Sequence, residues 1–105
     1  MASKTVSYSI RQSEAYEGDD WWSWSVWLDG PHEALDRVKY VEYTLHPTFP
    51  KPVRAEGDRA SQFKLSSSGW GTFTIHAQVV QKDGTRIPLT YDLSLHYPDG
   101  SETEM

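Results

Sequence analysis

The sequence predicts an all-β protein, an antiparallel β-sandwich of about seven or eight short strands. Three observations support this prediction. Apolar and polar residues alternate along most of the chain, as they do in strands with one buried face. Turn-forming Gly, Pro and Asp residues separate these alternating runs. No segment shows a convincing helical period, so a helical or mixed fold is not expected.

The length and composition indicate one domain, which we expect to span residues 1–105. A chain of this length can bury a single core. Apolar residues make up only 37%, but five Trp, six Tyr and three Phe supply large buried areas. We expect the core to extend from about residue 4 to about residue 98. Residues 99–105 are acidic and are predicted to form a flexible tail.

The first part of the chain is predicted to contain two strands. Alternation over 6–10 indicates an opening strand, and the acidic run 14–20, which contains a glycine, indicates a loop. A second strand is predicted over 21–28. Its expected core face consists of Trp22, Trp24, Val26 and Leu28, which leaves Trp21 and Trp27 on the opposite face.

The middle of the chain is predicted to contain a third strand followed by a stiff loop. Residues 29–31 (Asp-Gly-Pro) end the second strand, and residues 32–37 allow a single helical turn. Alternation resumes over 38–45, with valine, tyrosine and leucine on one face. The polar stretch 54–61 is predicted to be a surface connection.

The last part of the chain is predicted to contain a short strand and a long hairpin. Phe63 and Leu65 indicate the short strand, and residues 66–71 (Ser-Ser-Ser-Gly-Trp-Gly) a loop. The alternating runs 72–79 and 87–97 flank an Asp-Gly pair, which favours a tight hairpin turn because both residues accept a positive φ.

Charge and residue content argue against several classes of function. The formal charge of −5 is the opposite of the basic surface that nucleic-acid binding requires, so no direct nucleic-acid partner is expected. No nucleophile elbow, phosphate-binding glycine loop or zinc signature is present. The four histidines are far apart in sequence, and a metal site needs three or four converging ligands. We therefore expect a non-enzyme with no catalytic residues, no metal and no cofactor.

The sequence also gives expectations about location. There is no cysteine, which suits a reducing compartment. The start of the chain lacks the apolar run of a signal peptide, and no segment approaches membrane-spanning length. We expect a cytoplasmic protein, or a nuclear one if the chain is eukaryotic, with no membrane partner and with a monomer favoured.

The first candidate site lies in the proline-rich stretch 45–52. Three prolines in six residues fix the backbone and remove donors, so this stretch is expected to be a stiff loop. It carries His46, Thr48 and the large apolar ring of Phe49. Two interpretations are open: the phenylalanine packs back into the core, or the rigid loop presents a ring and a hydroxyl group to a ligand.

The second candidate site is Gly69-Trp70-Gly71. Loops of a sandwich cluster at its two ends, so this loop and the Phe49 loop can share an end. Trp70 is then either a hydrophobic plug or one wall of a slot with main-chain N–H groups at its rim. The nearby polar groups are mainly donors, which suit a neutral amide better than a cation. An acylated lysine has this character.

Four stretches together resemble the YEATS domain family in order and spacing. They are Trp24-x-x-Trp27-x-x-Gly30-Pro31, the proline loop with His46, Gly69-Trp70-Gly71-Thr72-Phe73, and Tyr91-Asp92-Leu93-Ser94-Leu95-His96. The resemblance extends from about residue 21 to about residue 97. The short chain is more similar to the prokaryotic YEATS-like branch than to the eukaryotic histone readers.

The resemblance implies an immunoglobulin-like fold that reads acetylated or crotonylated lysine in a partner protein or peptide. His46 and Phe49 would line the slot, Thr48 would supply a hydroxyl group, and Trp70 would form the opposite wall. Gly69 and Gly71 would complete the loop that offers N–H donors. Additional candidates are Trp21, Trp22, Phe73 and Asp92. Trp21 and Trp22 stand beside Asp20, which falls where the eukaryotic readers place a further aromatic residue, and Asp92 would sit near His46 or the peptide.

One alternative function remains open at this point. The domain could have kept the fold without reading acyl-lysine, as a protein-interaction or small-ligand-sensing module of a bacterial signalling system. The surplus aromatic residues Trp21 and Trp27 support this alternative, because exposed rings often mark an interface.

Overall fold

The computed structural model describes residues 8–103, which form two antiparallel sheets and one short helix. The strands are β1 (Ser9–Gly18), β2 (Trp21–Asp29), β3 (Val38–Thr44), β4 (Val53–Glu56), β5 (Leu65–Gly69), β6 (Thr74–Gln81) and β7 (Arg86–Asp92). The helix α1 (His32–Leu35) is a single turn, and Arg59–Ser61 form a 3₁₀ helix. The smaller sheet has the order β1-β2-β5 and the larger the order β4-β3-β6-β7. The predicted all-β sandwich is confirmed.

The core lies between the two sheets and is built from alternate residues of their central strands. In β2 it comprises Trp22, Trp24, Val26 and Leu28, each at most 2% exposed, as the alternation predicts. In the larger sheet, β3 and β6 contribute Val41, Tyr43, Ile75, Ala77 and Val79. Each large apolar side chain buried in this way stabilises the fold by roughly 1.5–3 kcal/mol.

The acidic stretch 14–20 is mostly strand, so its prediction as a loop is wrong. β1 continues to Gly18 and pairs with β2 along its whole length. From Gln12 to Gly18 every second residue of β1 is half-buried, and the Tyr16 ring packs against Trp22 at a centroid distance of 5.0 Å. The chain then reverses over Asp19 and Asp20, both at a φ of 55°. Aspartate tolerates this left-handed conformation, so the Asp-Asp pair makes a two-residue hairpin turn. Residues 1–7 lie outside the described part, and so does the predicted start of the opening strand.

Two other stretches predicted to be loops are also strands. The edge strand β4 pairs only with β3, and its pattern is inverted: Val53 and Ala55 are exposed while Arg54 and Glu56 are half-buried. The serine run of β5 pairs with β2 through the backbone and adds a hydrogen bond between hydroxyl groups of Ser25 and Ser66, 2.8 Å apart. Neither stretch has the apolar alternation by which strands are recognised in a sequence.

The last predicted strand, 87–97, ends at Asp92 in the structure. The residues that follow leave the larger sheet and contact the smaller one. The Gln12 side chain of β1 hydrogen-bonds both the N–H and the C=O of Ser94, and Trp22 Nε1 donates to the carbonyl of His96 at 2.8 Å. His96 also forms an isolated bridge with Glu102.

In the part of the chain that the structure describes, no helix has both the length and the apolar character needed to cross a membrane.

Candidate functional site

A cavity of about 760 Å³ opens at the end of the sandwich where the proline loop meets the β5–β6 connection. Its lining combines aromatic rings with small polar groups and consists of Trp21, His46, Thr48, Phe49, Pro50, Arg54, Ser67, Ser68, Gly69, Trp70, Gly71 and Phe73. The two loops therefore share one end of the sandwich, as predicted. A cavity of this size is typical of small-ligand sites.

The proline loop is held rigidly against the end of β3. At its base the Leu45 N–H donates to the Pro52 carbonyl at 2.7 Å. Within the loop the Phe49 N–H donates to the His46 carbonyl at 3.0 Å, which closes a tight turn after Pro47. Because proline fixes φ, little conformational freedom remains in this loop. The Phe49 ring is thus presented in a defined position.

His46 and Thr48 form a polar pair inside the proline loop. The His46 Nδ1 lies 2.9 Å from Thr48 Oγ1 and 3.3 Å from the Thr48 backbone nitrogen. A nitrogen that receives the backbone N–H carries no proton itself, so this geometry assigns the neutral imidazole proton to Nε2. The Thr48 hydroxyl then donates to His46 and keeps its own lone pairs for an external N–H group.

Two aromatic rings, those of Phe49 and Phe73, form the floor of the cavity. Phe49 and Phe73 lie 5.3 Å apart between centroids, and both contact Trp24 edge-on, at 6.3 Å and 5.9 Å. Trp24 is only 2% exposed and anchors the other two rings to the core. The His46 ring contacts Phe73 at 6.3 Å from the opposite side. The Phe49 ring is therefore half-buried but still contributes to the cavity.

The rim of the cavity carries two exposed indole rings. Trp70 is 59% exposed and Trp21 is 42% exposed, so Trp70 does not plug the end of the core. Gly69 ends β5 without a positive φ, and a Cβ atom at this position would lie 4.0 Å from Phe49 Cζ. The glycine thus leaves space beside the Phe49 ring. Among residues 8–103, no backbone hydrogen bond of a turn or loop uses the N–H groups of Trp70 and Gly71.

The charge of the cavity differs from that of the whole chain. Among the lining residues that the structure describes, His46 and Arg54 are ionisable and none is a carboxylate, although the chain carries 15 Asp and Glu residues. Within the described residues, no group of three or more His, Asp or Glu residues is arranged to hold a metal ion. The cavity lining is therefore less negative than the chain as a whole.

The structure brings most of the predicted site residues together. Eight of the ten line the cavity: His46, Thr48, Phe49, Gly69, Trp70, Gly71, Trp21 and Phe73. Trp22 does not, because it is fully buried between the rings of Tyr16 and Tyr97. Asp92 does not line it either, and its carboxylate accepts a hydrogen bond from the Thr74 hydroxyl at 2.8 Å.

Sequence reasoning missed four lining residues. Ser67 and Ser68 belong to the run predicted as a loop. Their position directly before Gly69 is the feature of the sequence that could have identified them as lining residues. Pro50 lies in the predicted proline loop but was not named as a site residue, and Arg54 was missed because the stretch after residue 52 has no alternation that identifies β4.

A model of the prokaryotic YEATS domain matches residues 22–94. The chain belongs to the prokaryotic YEATS domain family. The matched range includes both loops of the cavity and all strands from β3 to β7.

This YEATS domain is also similar to fungal proteins and to solved YEATS structures. It is 38% identical over 58 residues to the protein AF-9 homolog of Saccharomyces cerevisiae, which is 53% of this chain and 25% of that protein. The chain spans about a quarter of the length of the curated relatives it matches.

Two solved structures of the Yaf9 YEATS domain have the same fold. One is bound to acetylated histone H3 and gives a TM-score of 0.64 at 20% identity, covering 98% of this chain and 85% of that one. The other recognises a succinylated histone H3 peptide and gives a TM-score of 0.62 at 24% identity, covering 91% and 80%. At these identities the likeness concerns the fold.

Proposed function

We propose that this YEATS domain is a non-enzymatic binding module that recognises an acylated lysine side chain in a protein or peptide. The observation that carries the proposal is the composition of the cavity, which combines aromatic rings with N–H and hydroxyl groups and has no carboxylate among its lining residues. A trimethyl-lysine cage would be expected to attract its cation with carboxylates beside the rings. An acyl-lysine is neutral at its amide, so it can enter without the cost of burying a charge.

The aromatic residues fit the apolar parts of such a ligand. The lysine stem and a flat acyl group need apolar surfaces, which Phe49 and Phe73 provide on the floor and Trp70 provides at the rim. Binding would cover the exposed Trp70 ring, and this burial favours association.

The polar groups fit the amide between stem and acyl group. A buried amide must satisfy both its C=O and its N–H. The backbone N–H groups of Trp70 and Gly71, which no turn or loop hydrogen bond among residues 8–103 uses, are candidate donors to the carbonyl. The Thr48 hydroxyl, whose proton is directed to His46, is the candidate acceptor for the amide N–H. Similarity to a Yaf9 domain bound to acetylated histone H3 supports the same class of ligand here.

Nitrogen-15 NMR titration tests the proposal directly. The domain is titrated with peptides of one sequence that carry unmodified, acetyl-, crotonyl- or trimethyl-lysine. We expect only the acyl peptides to shift the amide signals of Thr48, Phe49, Trp70 and Gly71. Trp70→Ala should abolish these shifts. Trp27→Ala serves as the matched control, because Trp27 lies on β2 outside the cavity lining and contacts Lys64. Equal responses to acyl and unmodified peptides would refute the proposal.

A protein-interaction function is the second candidate, and the exposed apolar residues Trp21, Val53 and Trp70 favour it. In this case the cavity end would bind an apolar surface of a partner regardless of lysine acylation. Light scattering at high concentration tests the homo-oligomer form, and a strict monomer would exclude it.

A further inference from the structure

Arg54 is a cavity residue whose direction is set by strand pairing. In the β3–β4 ladder it lies directly opposite Tyr43, and residues opposite each other in an antiparallel pair point to the same face of the sheet. Tyr43 is fully buried in the core, so Arg54 also points to the inner face. At the edge of the sheet this face opens onto the cavity, where Arg54 is half-buried.

The guanidinium group of Arg54 is fixed at one end and has no counter-charge. Its Nε donates to the Lys51 carbonyl in the proline loop. Among residues 8–103, no carboxylate forms an ion pair with it, whereas Arg11 pairs with Asp29 and Arg59 pairs with Asp36. A half-buried arginine without a partner is unfavourable compared with one that has a carboxylate to bind.

The terminal nitrogens of Arg54 are therefore available to a ligand. No hydrogen bond within the described residues uses them. A guanidinium group matches a carboxylate with two parallel N–H···O bonds, and such charge-assisted bonds are stronger than neutral ones. Within residues 8–103 the remaining lining brings no competing negative charge, because it contains no Asp or Glu.

We infer that the cavity prefers an acyl group that ends in a carboxylate, such as succinyl- or glutaryl-lysine, and that Arg54 is the residue that confers this preference. The inference rests on the proposed function, because it assigns the acyl class to the same cavity. Phe49 and Trp70 would hold the stem and amide, and Arg54 would pair with the carboxylate at the tip of the acyl chain.

Isothermal titration calorimetry with matched ligands tests this inference. The ligands are peptides of one sequence that carry butyryl-lysine, succinyl-lysine or its neutral terminal amide, succinamoyl-lysine. We expect succinyl-lysine to bind on the order of tenfold more tightly than the neutral amide, because one charge-assisted contact is gained. In Arg54→Gln this ratio should fall to about one, and an unchanged thermal unfolding midpoint would show that the variant is folded. Arg86→Gln is the control, since Arg86 lies on β7 outside the cavity lining and contacts Gln78.

The outcomes separate the inference from the proposed function. Equal binding of succinyl- and succinamoyl-lysine by the wild-type domain would overturn the inference and leave acyl-lysine reading intact. Equal binding is expected if the inward charge of Arg54 serves only to protect the edge strand β4 from aggregation. A preference that survives in Arg54→Gln would also overturn the inference, because another residue would be responsible. If no acyl peptide binds, both the inference and the proposed function are wrong.

Discussion

Replacing Tyr43 with phenylalanine should destabilise the domain through one lost hydrogen bond. Tyr43 is fully buried, and its hydroxyl group donates to the Phe63 carbonyl at 2.7 Å. Phe63 adopts a left-handed φ of 58° just before β5, and its own N–H donates to the Asp58 carbonyl at 2.8 Å. The Tyr43 hydroxyl therefore helps to hold this strained entry into β5.

The expected loss can be worked out from this geometry. The substitution removes one buried donor and leaves the Phe63 carbonyl without it, which costs roughly 1–3 kcal/mol. For a domain of this size, each kcal/mol lowers Tm by roughly 4–8 °C. Urea unfolding followed by tryptophan fluorescence measures the change in the free energy of unfolding. Tyr40→Phe is the matched control, because Tyr40 lies on the opposite face of β3 and its hydroxyl makes no hydrogen bond among the described residues.

The same substitution should change the stability at high pH. Burial, and then the Glu56 carboxylate, raise the pKa of Tyr43 above its ordinary value of 10.0. A raised pKa means that the folded state resists ionisation, so stability is fully present below pH 10 and falls as the pH rises above it. The difference between wild type and Tyr43→Phe should therefore narrow above pH 10. If Tyr43→Phe were no less stable than Tyr40→Phe at pH 7, or if the difference did not narrow, the reasoning would be refuted.

Two further predictions concern the cavity and the last hairpin. Gly69→Ala should keep or slightly raise Tm, because its new methyl group would make an ordinary contact 4.0 Å from Phe49 Cζ, but it should weaken acyl-lysine binding by narrowing the slot. Calorimetry and thermal unfolding measure both effects, and a lowered Tm would contradict the first. Asp83→Asn should reduce the loss of stability in acid. Hydrogen bonds from the Thr85 backbone N–H and then its hydroxyl lower the pKa of Asp83 below 3.8. Its contribution is present above pH 3.8 and lost as the pH falls further, so equal acid profiles for both proteins would contradict the prediction.

The sequence predicts the core well because burial follows a local rule. Trp22 and Tyr43 are recognised as core residues from alternation alone, and both are fully buried. Alternation does not identify a strand that forms only because it pairs with another strand elsewhere in the chain. In β4 the inward residue Arg54 is charged, while its neighbours Val53 and Ala55 face solvent. The sequence of β4 alone therefore does not predict a strand, and β4 is recognised only from its pairing with β3.

The candidate site was predictable to the extent that it lies on loops at one end of the sandwich. Proline and glycine residues in the sequence predict where the two loops lie. They therefore draw attention to the side chains on those loops, His46, Phe49 and Trp70. Trp22, named as an additional candidate, does not line the cavity, and alternation gives the reason, since Trp21 and Trp22 point to opposite faces of β2.

The contacts made by the residues after β7 have a consequence for the order of folding. Gln12 contacts Ser94 and Glu14 contacts His96 across a separation of 82 residues, and Asp20 contacts Tyr97 across 77. The first hairpin leaves the ribosome early, but the groups that satisfy these side chains are synthesised some 80 residues later. Closing such long loops is slow. During translation the tryptophan-rich face of β2 therefore stays exposed to solvent in part until the last residues of the fold have been synthesised.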